Sequence, residues 1–169
     1  MKKILLALLL SLLPALVFAD EMLLHTDKAG SFTVQYPSGW TKVLNQSNVN
    51  FDVTAPDGTA KVQVLVQDVG EPVSAMAFLQ EMEKAMGGRT NLVPEANRTP
   101  PAEQIQAANG DDGAIGAYRI DGQVVVLQGV SIVTKGNKVY ILIQTIQQAM
   151  RATHGKSVGD IAKSFRITD

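Results

Sequence analysis

Residues 31–40 of the chain are SFTVQYPSGW, and they contain its clearest change of pattern. The first half alternates apolar and polar residues, which is the period-two pattern of a half-buried strand. The alternation stops at Pro37, because proline cannot donate a strand hydrogen bond. With proline second and glycine fourth, residues 36–39 are expected to form a type I turn. The turn would place Trp40 over the open end of the core, as a corner of the fold rather than a ligand platform.

The amino terminus has the three parts of a secretory signal peptide. Residues 2–3 are a basic Lys-Lys pair, residues 4–13 are an apolar run, and residues 15–19 end in small side chains at a cleavage position. The apolar run is shorter than the about 20 residues that a membrane-crossing helix needs. No cysteine follows it, which excludes a lipid-modified amino-terminal cysteine. We expect residues 1–19 to be removed and residues 20–169 to form a single domain in the bacterial periplasm.

The composition of the mature chain excludes several classes of protein. Removal of 19 residues from 169 leaves 150, which is enough for one hydrophobic core. Its formal charge is 13 − 16 = −3, because two of the 15 basic residues lie in the signal. The arginines are scattered along the chain, so no nucleic-acid footprint is expected. The absence of cysteine excludes disulfides, thiol catalysis and thiolate metal sites.

Alternating patterns predict a block of strands before residue 70, arranged as an antiparallel meander. Asp-Gly within residues 55–58 indicates a tight turn between two of them. The strands expected in this block lie at residues 31–36, 48–54 and 59–66, and residues 22–28 could start a strand or stay loose.

A helix is predicted over residues 74–86, because apolar residues recur there at spacings of three and four. Ser74 can cap its start, and the glycine pair at 87–88 can end it. Residues 88–113 are expected to be a long connection, in which residues 103–107 could form a short edge strand.

A second block of strands and a last helix follow. The strands are expected at residues 114–120, 123–134 and 138–146, joined by turns at Asp121-Gly122 and Gly136-Asn137. The last helix is expected at Ser157–Phe165, with a capping box between Ser157 and Asp160. Residues 147–156 before it could form another helical turn or a loop.

Strands that are apolar on both faces decide the predicted architecture. Residues 124–127 and 139–143 have no polar face, and such strands are covered on both sides. The fold class is therefore predicted to be α+β: an α/β/α sandwich with a central, mainly antiparallel sheet flanked by helices.

Three short motifs carry a family resemblance. The opening motif is F-x-V-x-Y-P-x-G-W at residues 32–40, and a Gly-Asn-Lys-Val-Tyr turn follows at 136–140. The last helix ends in Ile-Ala-Lys-Ser-Phe at 161–165. In this order the motifs resemble the PsbP-like family, which includes the bacterial DcrB-type periplasmic proteins. The resemblance implies an α/β/α sandwich and a non-enzymatic accessory or binding protein. Members range from extrinsic photosystem subunits to bacterial chaperones for secreted toxins.

No catalytic residue is predicted from the sequence. His25 and His154 have no partner at a metal-ligand spacing, so we expect two solvated histidines. A serine nucleophile needs a strained turn, but Gly129–Val133 lacks the second glycine of that motif and lies within a predicted strand.

Two further groups of residues have a structural and a functional interpretation. The oxygen-rich segment Asn109–Gly113 could hold Ca²⁺, but it lacks the distal glutamate of an EF-hand, so a loop tip made of turn-forming residues is favoured. Met76, Met82 and Met86 lie on or beside the apolar stripe of the helix at 74–86. They could form an adaptable binding surface, but plain core packing is favoured.

The sequence thus predicts an exported, non-enzymatic accessory or binding protein with no cofactor and no metal. Its expected partner is another periplasmic or envelope protein, bound through an exposed strand edge or an uncovered sheet face. The alternatives are a chaperone that shields apolar segments of a partner, which a concave apolar sheet face would favour, and an enzyme with an unrecognised site. Two titratable groups in contact within a cleft would favour the enzyme.

Overall fold

The computed structural model describes residues 21–43, 49–87, 90–93 and 97–168, and the expected signal peptide lies outside these ranges. The described helices are α1 (Ala75–Met86), α2 (Ala102–Ala107) and α3 (Arg151–Ser164), and a 3-10 turn at Gln148–Met150 precedes α3. The described strands are β1 (Met22–Thr26), β2 (Phe32–Pro37), β3 (Thr41–Lys42), β4 (Phe51–Thr54), β5 (Ala60–Asp68), β6 (Thr90–Asn91), β7 (Asp112–Ile120), β8 (Val126–Lys135), β9 (Lys138–Gln147) and β10 (Arg166–Ile167).

A seven-stranded antiparallel sheet forms the middle layer, with the order β3-β4-β5-β9-β8-β7-β6. Helix α1 packs on one face over β7 and β8, and α3 packs on the other face over β5 and β9. Both faces of β9 are buried, by Val139 and Ile141 towards α1 and by Tyr140 and Leu142 towards α3. The predicted α/β/α sandwich is confirmed, and the apolar pattern of β9 is its cause.

The meander prediction is wrong for residues 31–36, which belong to a second sheet of order β1-β2-β10. The last residues of the chain return to pair with β2. Ser164 continues this pairing with its side chain, because its hydroxyl accepts from the N–H of Gln35 at 2.8 Å and donates to the carbonyl of Gln35 at 3.2 Å. The next residue, Phe165, is buried against Phe32 and Tyr140. The Ser-Phe ending therefore closes the second sheet over the central one.

Trp40 lies at a corner of the fold, as the sequence predicted. Only 6% of its surface is exposed, and its ring belongs to the core between the two sheets. The N–H of Trp40 donates to the carbonyl of Pro37 at 2.9 Å, so the turn spans residues 37–40 rather than 36–39. The turn starts one residue late because Pro37 remains in β2, opposite Met22.

Two predicted elements differ in the structure. Residues 103–107 belong to helix α2 rather than to an edge strand, and this helix begins after Pro101 and buries Ile105 partly against the sheet. The last helix begins at Arg151 rather than at Ser157. Ser157 is therefore an interior helix residue, and no capping box forms there. The polar first turn of α3 has no apolar periodicity of its own, so the sequence pattern could not indicate it.

Candidate functional site

A cleft of about 490 Å³ opens on the α3 face of the central sheet. Helix α2 covers one end of β7 and β8, whereas α3 covers β5 and β9, and a strip of sheet between the two helices stays open. We call this space the α2–α3 cleft. Its floor consists of side chains that share one face of three neighbouring strands: Ile115, Ser131, Val133, Leu142 and Gln144.

Small residues set the width of the α2–α3 cleft. Gly159 and Ala162 face it from α3, and a Cβ atom added to Gly159 would meet no atom within 4 Å. The α2 side is tightly packed instead. A Cβ atom at Gly113 would lie 2.9 Å from Pro100 and 3.0 Å from Ile105, so glycine in β7 allows α2 to approach the sheet.

The polar groups of the cleft are few and separate. Within the described part of the chain, the side chains of Ser131 and Gln144 make no hydrogen bond, and no ion pair joins Glu103, Lys163 and Arg166. The Arg166 guanidinium instead donates to the backbone carbonyls of Lys163 and Phe165, at 2.6 Å each. A mostly apolar cavity with a few polar groups can bind and orient a ligand. Glu103, Lys163 and Arg166 do not pair with one another. The cleft residues therefore do not form the pair of contacting titratable groups that would favour an enzyme.

His25 lies outside the cleft, and the expectation that it is solvated is wrong. Its ring stacks on Phe51 at 4.9 Å, and the Lys42 ammonium donates to its Nδ1 atom at 2.8 Å. Its Nε2 atom is buried and has no partner in the described ranges. Burial lowers the pKa of His25, and the Lys42 charge lowers it further, whereas Asp27 acts in the opposite direction. His25 is therefore a packing residue of the second sheet.

His154 also has a structural role. Its Nε2 atom lies 2.8 Å from Oδ2 of Asp57, and its ring meets Trp40 edge-on at 5.8 Å. Hydrogen bonds hold the pKa of Asp57 well below its usual range, first from His154 and then from the N–H and hydroxyl of Thr59. The contact joins α3 to the turn between β4 and β5, so neither histidine reaches the α2–α3 cleft.

The acidic segment Asn109–Gly113 forms the connection from α2 into β7. The Asp111 carboxylate accepts from the N–H of Gly136 at 2.9 Å, and this hydrogen bond is the main cause of the lowered pKa of Asp111. The Asp112 carboxylate accepts from the N–H of Ala75, at the start of α1, at 2.8 Å. Asp111 also pairs with the Lys135 ammonium at 3.2 Å, and Asp112 also accepts from the N–H of Gly113 at 2.8 Å, so both carboxylates are used by contacts within the fold. The described residues include no group of three metal-capable side chains.

The methionines pack as predicted. Met76, Met82 and Met86 are partly buried against the core beneath α1, next to the fully buried Leu79. They fill the space between α1 and the sheet, so they do not form a separate binding surface.

A buried polar cluster on the α1 face has no signal in the sequence. Glu83 accepts hydrogen bonds from both Arg98 and Tyr118. The carbonyl of Arg98 in turn accepts from the N–H of Ile115 at 2.7 Å. Burial raises the pKa of Tyr118, and the Glu83 carboxylate raises it further. Because Arg98 is only 5% exposed, the cluster holds the connection before α2 against the sheet.

Comparison with known proteins identifies the fold. No protein-family model matches the chain, and no curated protein matches it. The solution structure of cyanobacterial PsbP (CyanoP) from Synechocystis superposes with a TM-score of 0.63 over 92% of this chain and 96% of that one, at 15% identity. The chain has the PsbP-like fold. The Ran-binding protein Mog1p of Saccharomyces cerevisiae shares it, with a TM-score of 0.57 and 8% identity over 89% of this chain and 97% of that one.

LpqN of Mycobacterium tuberculosis, a protein involved in cell envelope biogenesis, also matches this PsbP-like chain. Its TM-score is 0.53 at 10% identity, over 89% of this chain and 86% of LpqN. At such identities the comparison establishes the fold and leaves the DcrB-type resemblance a prediction. None of the helices in the described ranges is long and apolar enough to cross a membrane.

Proposed function

We propose that this PsbP-like protein is exported, loses residues 1–19, and works in the bacterial periplasm or cell envelope. Residues 20–169 act there as one non-enzymatic domain that binds another protein through the α2–α3 cleft. The basic and apolar parts of the amino terminus support export. The similarity in fold to a Ran-binding protein supports binding as the mode of action, and the similarity to a protein involved in cell envelope biogenesis supports the proposed compartment.

The floor of the cleft is the observation that carries the proposal. Ile115 offers a partly exposed apolar side chain beside the largely buried Val133 and Leu142. Ser131 and Gln144 supply hydrogen-bonding groups with no partner in the described chain. An extended peptide segment has this combination of chemistry, because its side chains can be apolar while its backbone amides need donors and acceptors. The occupant that suits the cleft is therefore a short apolar segment of a partner protein.

A photo-crosslinking experiment in intact cells tests the binding surface. A photoreactive amino acid at Lys163, on the rim of the cleft, is expected to capture a defined periplasmic partner. The matched control is Lys84 on α1, whose side chain is 71% exposed on the opposite side of the sheet. Equal capture from both positions would contradict the assignment of the cleft.

Cell fractionation tests the compartment independently. The mature protein is expected in the periplasmic fraction, with Asp20 as its first residue by amino-terminal sequencing. Exchange of Lys2 and Lys3 for glutamate is expected to retain the chain in the cytoplasm, because the basic start orients a signal peptide. A wild-type chain that stays in the cytoplasm at full length would contradict export.

The apolar floor also favours a second function, a chaperone that shields apolar segments of a partner. A chaperone would suppress the aggregation of several unrelated unfolded proteins, measured by light scattering, whereas a dedicated binding protein would protect its own partner only. The toxin-associated chaperones of the PsbP-like family normally work in the cytoplasm. The expected signal peptide therefore favours a dedicated binding protein over a chaperone.

A further inference from the structure

Strand β1 has an open edge. In the described part of the chain it pairs with β2 alone, and the sheet order β1-β2-β10 places it at the margin. The N–H of Asp27 donates to the carbonyl of Phe32, and the N–H of Ser38 donates to the carbonyl of Glu21. Because hydrogen-bonded and non-bonded residues alternate along an antiparallel pair, the odd-numbered residues of β1 bond to β2. The even-numbered ones direct their N–H and C=O groups to the open edge.

Two of these even-numbered residues, Met22 and Leu24, also place apolar side chains in solvent. His25 shares a face with its cross-strand partner Val34, which is fully buried, so its neighbours on β1 point outwards. Leu24 is 65% exposed and Met22 is 38% exposed. Open strand edges are usually protected by lysine, proline or a bulge, and the β1 sequence MLLHT contains no lysine or proline.

We propose that β1 pairs with β1 of a second copy, antiparallel, about a two-fold axis at Leu24. In this register Leu24 lies opposite Leu24 of the second copy, and Met22 lies opposite Thr26. Each of the three residue pairs exchanges two backbone hydrogen bonds, so every free group of the edge is paired. The two three-stranded sheets then join into one sheet of six strands.

The symmetry of the edge favours a second copy as the occupant. The open positions 22, 24 and 26 are evenly spaced about residue 24, as a two-fold contact requires of a surface that must complement itself. The exposed leucines also meet at the axis, where directly opposed side chains are about 5 Å apart at Cβ. The contact uses none of the residues of the α2–α3 cleft, so it is independent of the proposed function.

Disulfide trapping tests the register. The chain has no cysteine, so Leu24→Cys introduces the only thiol. Directly opposed residues of a hydrogen-bonded pair have Cα atoms about 5.5 Å apart, within reach of a disulfide. The control is Gln35→Cys, exposed on the same face of β2, whose two copies would be three strand spacings or about 14 Å apart. Mild oxidation is expected to give a covalent dimer for Leu24→Cys and none for Gln35→Cys. Equal rates would overturn the proposal.

Analytical ultracentrifugation of the protein purified from cells that express the full-length chain tests the contact without a crosslink. The wild type is expected to show a concentration-dependent dimer. Leu24→Lys would place two ammonium groups at the axis and shift the equilibrium at least tenfold towards the monomer. Val124→Lys is the control, because Val124 is an exposed apolar residue outside the second sheet. A wild type that stays monomeric at its highest soluble concentration, or a dimer that survives Leu24→Lys, would overturn the proposal.

Discussion

His154 in α3 and Asp57 in the turn between β4 and β5 are joined by a 2.8 Å hydrogen bond, although they are 97 positions apart in the chain. The same imidazole packs edge-on against Trp40. The contact therefore joins the corner after β2, the first tight hairpin and the start of the last helix. It stabilises the beginning of α3, where sequence periodicity is absent.

Asp57→Asn is expected to reduce the loss of stability in acid. Because hydrogen bonds depress the pKa of the Asp57 carboxyl in the folded protein, the stabilisation it provides is present above the ordinary aspartate pKa of about 3.9. It is lost as the pH falls below that value. Melting temperatures between about pH 6 and pH 2 would show a shallower decline for the variant than for the wild type.

Asp121→Asn is the control for this measurement, because it removes another exposed carboxylate, whose ion-pair partner among the described residues is the nearby Arg119. Identical acid profiles for the wild type and Asp57→Asn would contradict the role assigned to the His154–Asp57 contact.

His25 is expected to make the stability of the fold depend on pH in a second, higher range. Its pKa is lowered in the folded state, so the unfolded chain binds the proton more readily, and stability falls as the pH drops below about 6.5. His25→Phe keeps an aromatic ring against Phe51 and removes the titration. The free energy of unfolding by urea should therefore fall less between about pH 7 and pH 5 in the variant than in the wild type. An equal fall in both proteins would show that other groups cause it.

Trp40→Ala is expected to lower the free energy of unfolding by about 3–5 kcal/mol, because it removes a large ring from a packed core. Trp40→Phe should cost less, since it keeps an aromatic ring at the corner. Val124→Ala, at an exposed position, should change stability by no more than about 0.5 kcal/mol. Chemical denaturation measures all three. An unchanged stability in Trp40→Ala would restore the interpretation of residues 36–40 as a ligand platform.

Periodicity in the sequence was sufficient for the parts of the fold whose pattern is local. Helix α1 was predicted over 74–86, with Ser74 as its cap, and the structure places α1 at Ala75–Met86, with the Ser74 hydroxyl accepting from the N–H of Ala77. The long strands β7, β8 and β9 were predicted for the same reason. Strand β8 begins at Val126 rather than at residue 123, and the prediction that residues 124–127 are covered on both faces is wrong for Val124, which is 51% exposed.

The second sheet and the cleft could not be predicted, because both depend on contacts between distant segments. The pairing of Ser164 with Gln35 joins residues 129 positions apart, and nothing in either segment indicates it. Gly159 has no distinctive pattern around it, and its importance appears only when α3 is placed beside the open strip of sheet. The hydrogen bonds of Glu83 to Arg98 and Tyr118 could not be predicted for the same reason.

Gly116 and Tyr118, both in β7, are expected to be energetically coupled on the α1 face of the sheet. A Cβ atom at this position would lie 2.1 Å from the Tyr118 hydroxyl, so Gly116→Ala would displace the ring and break its hydrogen bond to Glu83. A loss of about 1–3 kcal/mol is expected. In a Tyr118→Leu background the same change should be nearly neutral, and a double-mutant cycle measures the difference. Equal losses in both backgrounds would contradict the packing of Tyr118 over Gly116.

Gly159 allows the cleft to be closed without damage to the fold. Glycine within a helix costs about 0.8–1 kcal/mol relative to alanine, and a side chain at Gly159 has open space, so Gly159→Ala should raise the melting temperature. Gly159→Leu should also fold, while its side chain enters the α2–α3 cleft. We expect it to lose the crosslink to a partner at Lys163.

The matched control for this variant is Gly155→Leu, one helical turn earlier in α3. A Cβ atom at Gly155 would make ordinary contact with Arg151 at 3.6 Å, and Gly155 does not line the cleft. Both leucine variants therefore change the same helix by the same side chain, and only one of them fills the binding surface. Circular dichroism establishes that both are folded. A crosslink that persists in Gly159→Leu, or disappears equally in both, would show that the partner does not enter the cleft.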